Sequence, residues 1–415
     1  MRKLQAVLWL IIVLQFFSCK KNDTNNSNTT TNTKRLVVVY MIADNNLDYF
    51  AVQNINEMEK GFDSATFNGK LLVFVDRASN AIPSHPYMME IVHDTTDAIV
   101  SKIIYTYPEQ NTAQGAVLTS VIQDAKNYYP NYTNIGLVLW SHGSAWLPKG
   151  VFIGTKRGQI IDTTKSYGLD NDPIDSSVMD IKDMTVGLKN THNYFDFILF
   201  DACYMNSIEV AYELKDVADY MIASPTEILS YGFPYKTIIP LLGANNVNVK
   251  AVADDYFNFY QSQKSILQTG TISVINLKNI TGLAQKVNTL FTRVSQLKDT
   301  CKINLHNIQR LDYSGDTTST AWAFDMNNFL QYNFASLNDT QINEAYQAMQ
   351  NSWNSTVLYS QHTNMLFKTI NLNNCNGMST YIPTALNNKI ADDYYKTLQW
   401  YQQSGYNKVA FSVSY

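Results

Sequence analysis

Four apolar runs, at residues 36–43, 71–75, 135–140 and 195–200, broken by a charge only at Asp196, restrict this chain more than any other feature. A strand with one face in water shows a polar residue at every second position, so runs without that alternation belong to strands covered on both faces. Segments with helical spacing lie between them. One covers 47–60, with Leu47, Phe50, Ala51, Ile55 and Met58 in phase after the helix-starting Asp44-Asn45-Asn46. Another covers 112–128 and stops before Pro130. Residues 87–93 and 99–105 read as a β pair turning at 94–97. Strands alternating with helices predict an α/β fold, a doubly wound and mainly parallel sheet with helices on both faces.

In such sheets ligands bind outside the carboxyl ends of the strands. The run 135–140 ends in Ser141-His142-Gly143-Ser144, and the run 195–200 ends in Asp201-Ala202-Cys203. Helical spacing resumes at Met205, Ile208, Ala211, Tyr212 and Leu214, which predicts a strand, a tight turn carrying the thiol, and a helix. A helix starting there would stabilise a thiolate. Taken alone, Cys203 favours the reading of a buried structural cysteine. With His142 at the neighbouring strand end, a thiol–imidazole pair becomes a defined alternative.

Residues 145–193 are poor in apolar runs and predict exposed loop, with a short helix at 179–188. A further strand at 220–223 is followed by a loop, 224–234, bordering the same edge. Helices are expected at 249–262, 283–297, 321–330, 342–358 and 392–404, with strands at 271–277 and 378–382. These divide the folded part into a catalytic unit, 35–243, and a C-terminal α/β elaboration, 244–415, packed on it.

The amino terminus has a different character. Arg2 and Lys3 precede an apolar stretch from 4 to 17 that is too short to span a bilayer comfortably, as in a signal peptide. The following Ser18-Cys19 resembles a bacterial lipoprotein box, which implies a signal peptide over 1–18 and lipidation of Cys19. Residues 19–34 then form a disordered tether, since 20–34 carry no apolar side chain. Beyond Cys19 only Cys203, Cys301 and Cys375 remain, so disulfides do not scaffold the fold, although Cys301 and Cys375 can pair on sequence alone. A net charge of −4 offers no basic footprint for nucleic acid.

The motifs Trp140-Ser-His-Gly-Ser-Ala-Trp146 and Phe200-Asp-Ala-Cys-Tyr-Met-Asn-Ser-Ile-Glu-Val-Ala-Tyr-Glu213 resemble the clostripain family of cysteine endopeptidases, which share a caspase-like fold. The likeness extends to 40–47, 219–224 and, more faintly, 377–383. It implies that Cys203 is the nucleophile, that His142 is the general acid/base, and that the backbone N–H groups of Gly143 and Cys203 hold the oxyanion. It also implies that Asp201 sits at the base of a pocket selecting Arg or Lys before the scissile bond; a helix-capping Asp is the alternative. Residues 225–234 depart from the acidic, Gly-rich stretch common in the family, with Glu227 as its remaining acid.

Family members are commonly activated by self-cleavage, for which Lys149, Lys156, Arg157 and Lys165 are candidates. They also show calcium dependence. Asp170, Asp172 and Asp175 are too few for an ion that takes about six to eight oxygens, so solvated surface charge is expected there and no cofactor is required. His85, His93, His192, His306 and His362 show no metal-ligand spacing. The expected protein is a lipid-anchored cysteine endopeptidase of the bacterial cell envelope acting on proteins or peptides. The alternative is a catalytically silent surface lipoprotein of the same fold that binds peptides or glycans. A serine hydrolase using Ser141 or Ser144 is disfavoured, because neither lies in a G-x-S-x-G elbow.

Overall fold

The computed structural model describes residues 34–149, 151, 167–171, 177–297, 300–312 and 321–414. The expected signal peptide, Cys19 and the tether up to residue 33 lie outside them. The described residues build a nine-stranded sheet from β1 (Arg35–Ala43), β2 (Gly69–Arg77), β3 (Tyr87–Glu90), β4 (Lys102–Thr106), β5 (Asn134–Trp140), β6 (Phe195–Asp201), β7 (Ala218–Ala223), β8 (Thr271–Asn276) and β9 (Val357–His362). Their spatial order is β9-β8-β7-β6-β5-β1-β2-β3-β4. The five strands from β7 to β2 are parallel, and antiparallel pairs extend both edges.

β1 shows why the runs lack alternation. All nine of its residues are buried. Leu36, Val38, Tyr40 and Ile42 enter one core, while Val37, Val39, Met41 and Ala43 enter the other. Each large apolar side chain so buried stabilises the fold by about 1.5–3 kcal/mol. Helices α2 (Gly115–Tyr128), α3 (Ile181–Asn190), α4 (Ile208–Glu213) and α7 (Ile280–Leu297) cover the first face. On the second lie α1 (Asp48–Gly61), α5 (Tyr235–Leu242) and α6 (Val249–Gln261).

From β1 the chain moves to β2 on one side and later to β5 on the other. That reversal opens a crevice beyond the carboxyl ends of β1 and β5. Trp140 is the register partner of Asp201, so His142 and Cys203 each stand two residues past the last pair of β5 and β6.

Several expectations shift. The helix predicted over 342–358 ends at Thr356, and the chain turns directly into β9, because Val357 and Tyr359 pair with β8. The helix predicted from 321 starts at Met326, where the Asp325 carboxylate accepts the Asn328 N–H. The presumed exposed loop buries Trp146, Leu147, Tyr167 and Asp170. Its ribbon, Tyr167–Asp170 with Ser177–Met179, packs against β1 and bridges Gly143. No disulfide joins the buried Cys301 and Cys375.

Candidate active site

His142 and Cys203 line one cleft of about 230 Å³, together with Leu47, Asp201, Glu227 and Ile228. The two strand ends meet closely at Gly143. A Cβ there would lie 2.5 Å from the Cys203 carbonyl oxygen, so only glycine lets the backbones approach this far.

The His142 side is tied to β1 and to the ribbon. Ser141 donates its hydroxyl to the Ile42 carbonyl at 2.7 Å, which gives that serine a structural duty. The His142 carbonyl accepts the Gly168 N–H at 2.9 Å, and Gly143 bridges Tyr167. The imidazole Nε2 lies 2.7 Å from Asn46 Oδ1, at the carboxyl end of β1.

The Cys203 side differs from the sequence expectation. No helix starts at the thiol: α4 begins only at Ile208, and Ser207 Oγ caps it by accepting the Val210 N–H. Tyr204 adopts a left-handed conformation, φ 63°, donates its N–H to the Thr226 carbonyl and gives its hydroxyl to Glu227. That route carries the chain under the 224–235 loop, so the loop and not a helix dipole surrounds the sulfur. Ile228 donates its N–H to Sγ at 3.4 Å, and the thiol points to the Ile228 carbonyl at 3.7 Å. Burial, and next the Glu227 charge, push the thiol up to about 12, so this resting form carries a neutral thiol. Burial raises Glu227 itself to about 7.

Asp201 is 5% exposed and lines the same cleft. Its Oδ2 accepts the Phe233 N–H at 3.1 Å and the Tyr235 hydroxyl at 2.9 Å. Helix capping, the alternative duty, belongs to Ser207. Burial raises Asp201 to about 7, opposed by those two donors. Gly232 sits at φ 69°, where a Cβ would stand 2.4 Å from Asp201 Oδ2. Asn54 braces the same wall, donating to the Tyr231 carbonyl while accepting from the Trp140 indole.

Of the candidate processing residues, Lys149 is exposed, whereas Lys156, Arg157 and Lys165 lie outside the described residues, as do Asp172 and Asp175. Asp170 corrects the surface-charge expectation. It is fully buried and accepts both the N–H and the hydroxyl of Thr112, whose hydroxyl also reaches Asp76. Burial, with Asp170 adding, pushes Asp76 well up. Among the described residues no group of three His, Cys, Asp or Glu side chains suits a metal ion.

Sequence reasoning missed Asn46, Ile228, Gly232 and Tyr235. Asn46 had a signal, a polar amide at a strand's carboxyl end, but was absorbed into the helix start. The others meet the site only through the long loop after β7.

The clostripain family model matches residues 39–412, which span both halves of this cleft. The chain belongs to the clostripain family. It is therefore a cysteine protease, acting on peptide or protein substrates, and its sheet is the caspase-like α/β fold of that family. A secreted C11 cysteine protease from Bacteroides thetaiotaomicron, solved with an irreversible peptide inhibitor, is 28% identical with a TM-score of 0.72; the match covers 91% of this chain and 100% of that one. An inactive zymogen C11 protease from Parabacteroides distasonis is also 28% identical, with a TM-score of 0.70, covering 90% and 98%. A search of curated proteins finds no match.

Proposed function

We propose that this clostripain-family protease is exported, held at the bacterial cell envelope by a lipid on Cys19, and cleaves after Arg or Lys through Cys203 and His142. The observation that carries the catalytic reading is the shared cleft: His142, Cys203 and Asp201 line it from two adjacent strand ends. In the proposed reaction Sγ attacks the scissile carbonyl carbon, and its proton goes to the His142 imidazole. The oxyanion is received by the N–H groups of Gly143 and Cys203, each such donor being worth about 2.7–4 kcal/mol in proteases where it has been tested. Collapse breaks the C–N bond as His142 protonates the leaving amine. Water then attacks the thioester, giving its proton to His142 and releasing the acid and the thiol. No step needs a metal or cofactor.

The buried Asp201 carboxyl supports the basic preference, since a guanidinium or ammonium entering the cleft would stabilise its ionised form. The neutral thiol beneath Ile228 supports a latent form that rearranges before turnover, and the exposed Lys149 is a site where self-cleavage would begin. Export rests on the amino-terminal pattern and on the secreted relative. No helix among the described residues is long and apolar enough to cross a membrane.

The test is hydrolysis of fluorogenic peptides ending in Arg or Lys, compared with a matched library. Wild type is expected to cleave after Arg and Lys, and Cys203→Ala to lose at least about 10⁴-fold in kcat. Unchanged activity in Cys203→Ala would overturn the nucleophile, and cleavage only after other residues would overturn the pocket. Intact-mass analysis after incubation reads self-cleavage from residue 149 to residue 165 directly.

A further inference from the structure

We propose that Asn46 is a positioning residue for His142, fixing the imidazole's tautomer and direction; the inference rests on the Cys203–His142 reading. The contact is a direct one, Nε2 to Asn46 Oδ1 at 2.7 Å. A neutral imidazole carries its proton on one nitrogen, and the hydrogen bond made by one nitrogen decides the role of the other. An amide oxygen facing Nε2 places the proton there, which makes Nδ1 the nitrogen that accepts a proton. The ring is thereby held ready as a base without an added charge.

Both ends of the contact are braced by the same piece of chain. Asn45 donates its amide to the carbonyls of Ile42, at 3.1 Å, and Leu169, at 2.7 Å, while its Oδ1 accepts the Leu47 N–H at 2.8 Å. The turn that presents Asn46 is therefore locked to β1 and to the ribbon. The Gly168 N–H holds the His142 carbonyl from that ribbon, and the Asn171 N–H holds the Asp44 carbonyl. Asn46 itself is exposed, so its side chain serves no core. Leu47, the next residue, lines the cleft, which places Asn46 at its rim. The titratable groups sharing that cleft with His142 are Cys203, Asp201 and Glu227.

A neutral amide and a carboxylate separate positioning from charge. Asn46→Ala should lower kcat by about 10- to 100-fold while KM stays within about twofold, because the ring loses its set direction and not its substrate contacts. Asn46→Asp keeps the shape and adds a negative charge, so the pKa of His142 should rise by about one unit, and the limb of the pH–rate profile that His142 governs should move to higher pH with it. NMR titration of ring-labelled histidine, assigned with His142→Gln, reads the same shift without turnover. It therefore tests the contact even where the proposed catalytic roles fail and neither wild type nor variant cleaves. An unmoved His142 pKa in Asn46→Asp, or kcat within about twofold of wild type in Asn46→Ala, would overturn the proposal.

Discussion

The two sides of the cleft are held in different ways. At the end of β5, His142 is secured through its backbone to the ribbon, through Ser141 to β1, and through a side-chain amide at Nε2. At the end of β6, the atom expected to react is itself engaged, since Sγ faces both the N–H and the carbonyl of Ile228. The 224–235 loop that supplies Ile228 also supplies Glu227, Gly232, Phe233 and Tyr235 to the surroundings of Cys203 and Asp201. The base side is thus held by neighbours that leave the thiol alone, whereas on the thiol side the 224–235 loop bonds the sulfur itself. In the proposed function, latency and substrate choice both belong to this second side.

The largest expected break in this contrast is Asp201→Asn. A charge-assisted bond contributes about 1.5–3 kcal/mol, so kcat/KM on peptides ending in Arg or Lys should fall by about 10- to 100-fold, with alkylation of Cys203 unchanged. An equal loss on all substrates would give Asp201 a purely structural duty towards the loop. Next come two glycines, one for each side. Gly232, φ 69°, guards Asp201, and Gly168, φ 71°, holds the His142 carbonyl. Alanine at either costs about 1–2 kcal/mol of backbone strain, lowering Tm. Gly232→Ala should weaken selection of basic residues, and Gly168→Ala should lower kcat; if both variants change the same parameter, the two sides are not independent.

A smaller effect is expected for Glu227→Gln. Removing a charge that raises the thiol should lower its pKa by roughly half to one unit and speed alkylation by iodoacetamide at pH 8 about three- to tenfold, followed by mass spectrometry. No acceleration would mean that burial alone keeps the thiol neutral. The smallest concerns stability. Asp201, Glu227 and Glu209 are each raised to about 7 when folded, against about 4 in the unfolded chain. Between those values the folded state binds more protons, so its stability is greatest in acid and declines as pH rises through about 7. Tm should drop by a few degrees from pH 5 to pH 8; a rise over that range would show these carboxyls ionised and paired.

Much of the fold was legible because burial on two faces leaves a mark in each strand by itself. The run at β1 needs no partner to read as covered on both sides, and the runs ending at Trp140 and Phe200 carried His142 and Cys203 to one edge. The edge strand β9 was not legible, since Val357 and Leu358 continue the apolar phase of the helix before them and the segment becomes a strand only by pairing with β8. Asp170 read as surface charge because nothing near it in sequence names Thr112 and Asp76 as partners.

The same division runs through the site. By itself the sequence determined the central strands, the order in which they deliver a histidine and a cysteine, and the family motifs around them, because strand periodicity and strand ends are local. Only the tertiary structure decided what touches the reactive groups: Asn46 on the imidazole, Ile228 on the sulfur, Phe233 and Tyr235 on Asp201, and a helix that starts at Ile208 instead of at the thiol. Those contacts join segments 25 to 96 residues apart. Their energies depend on geometry that no single stretch of chain contains.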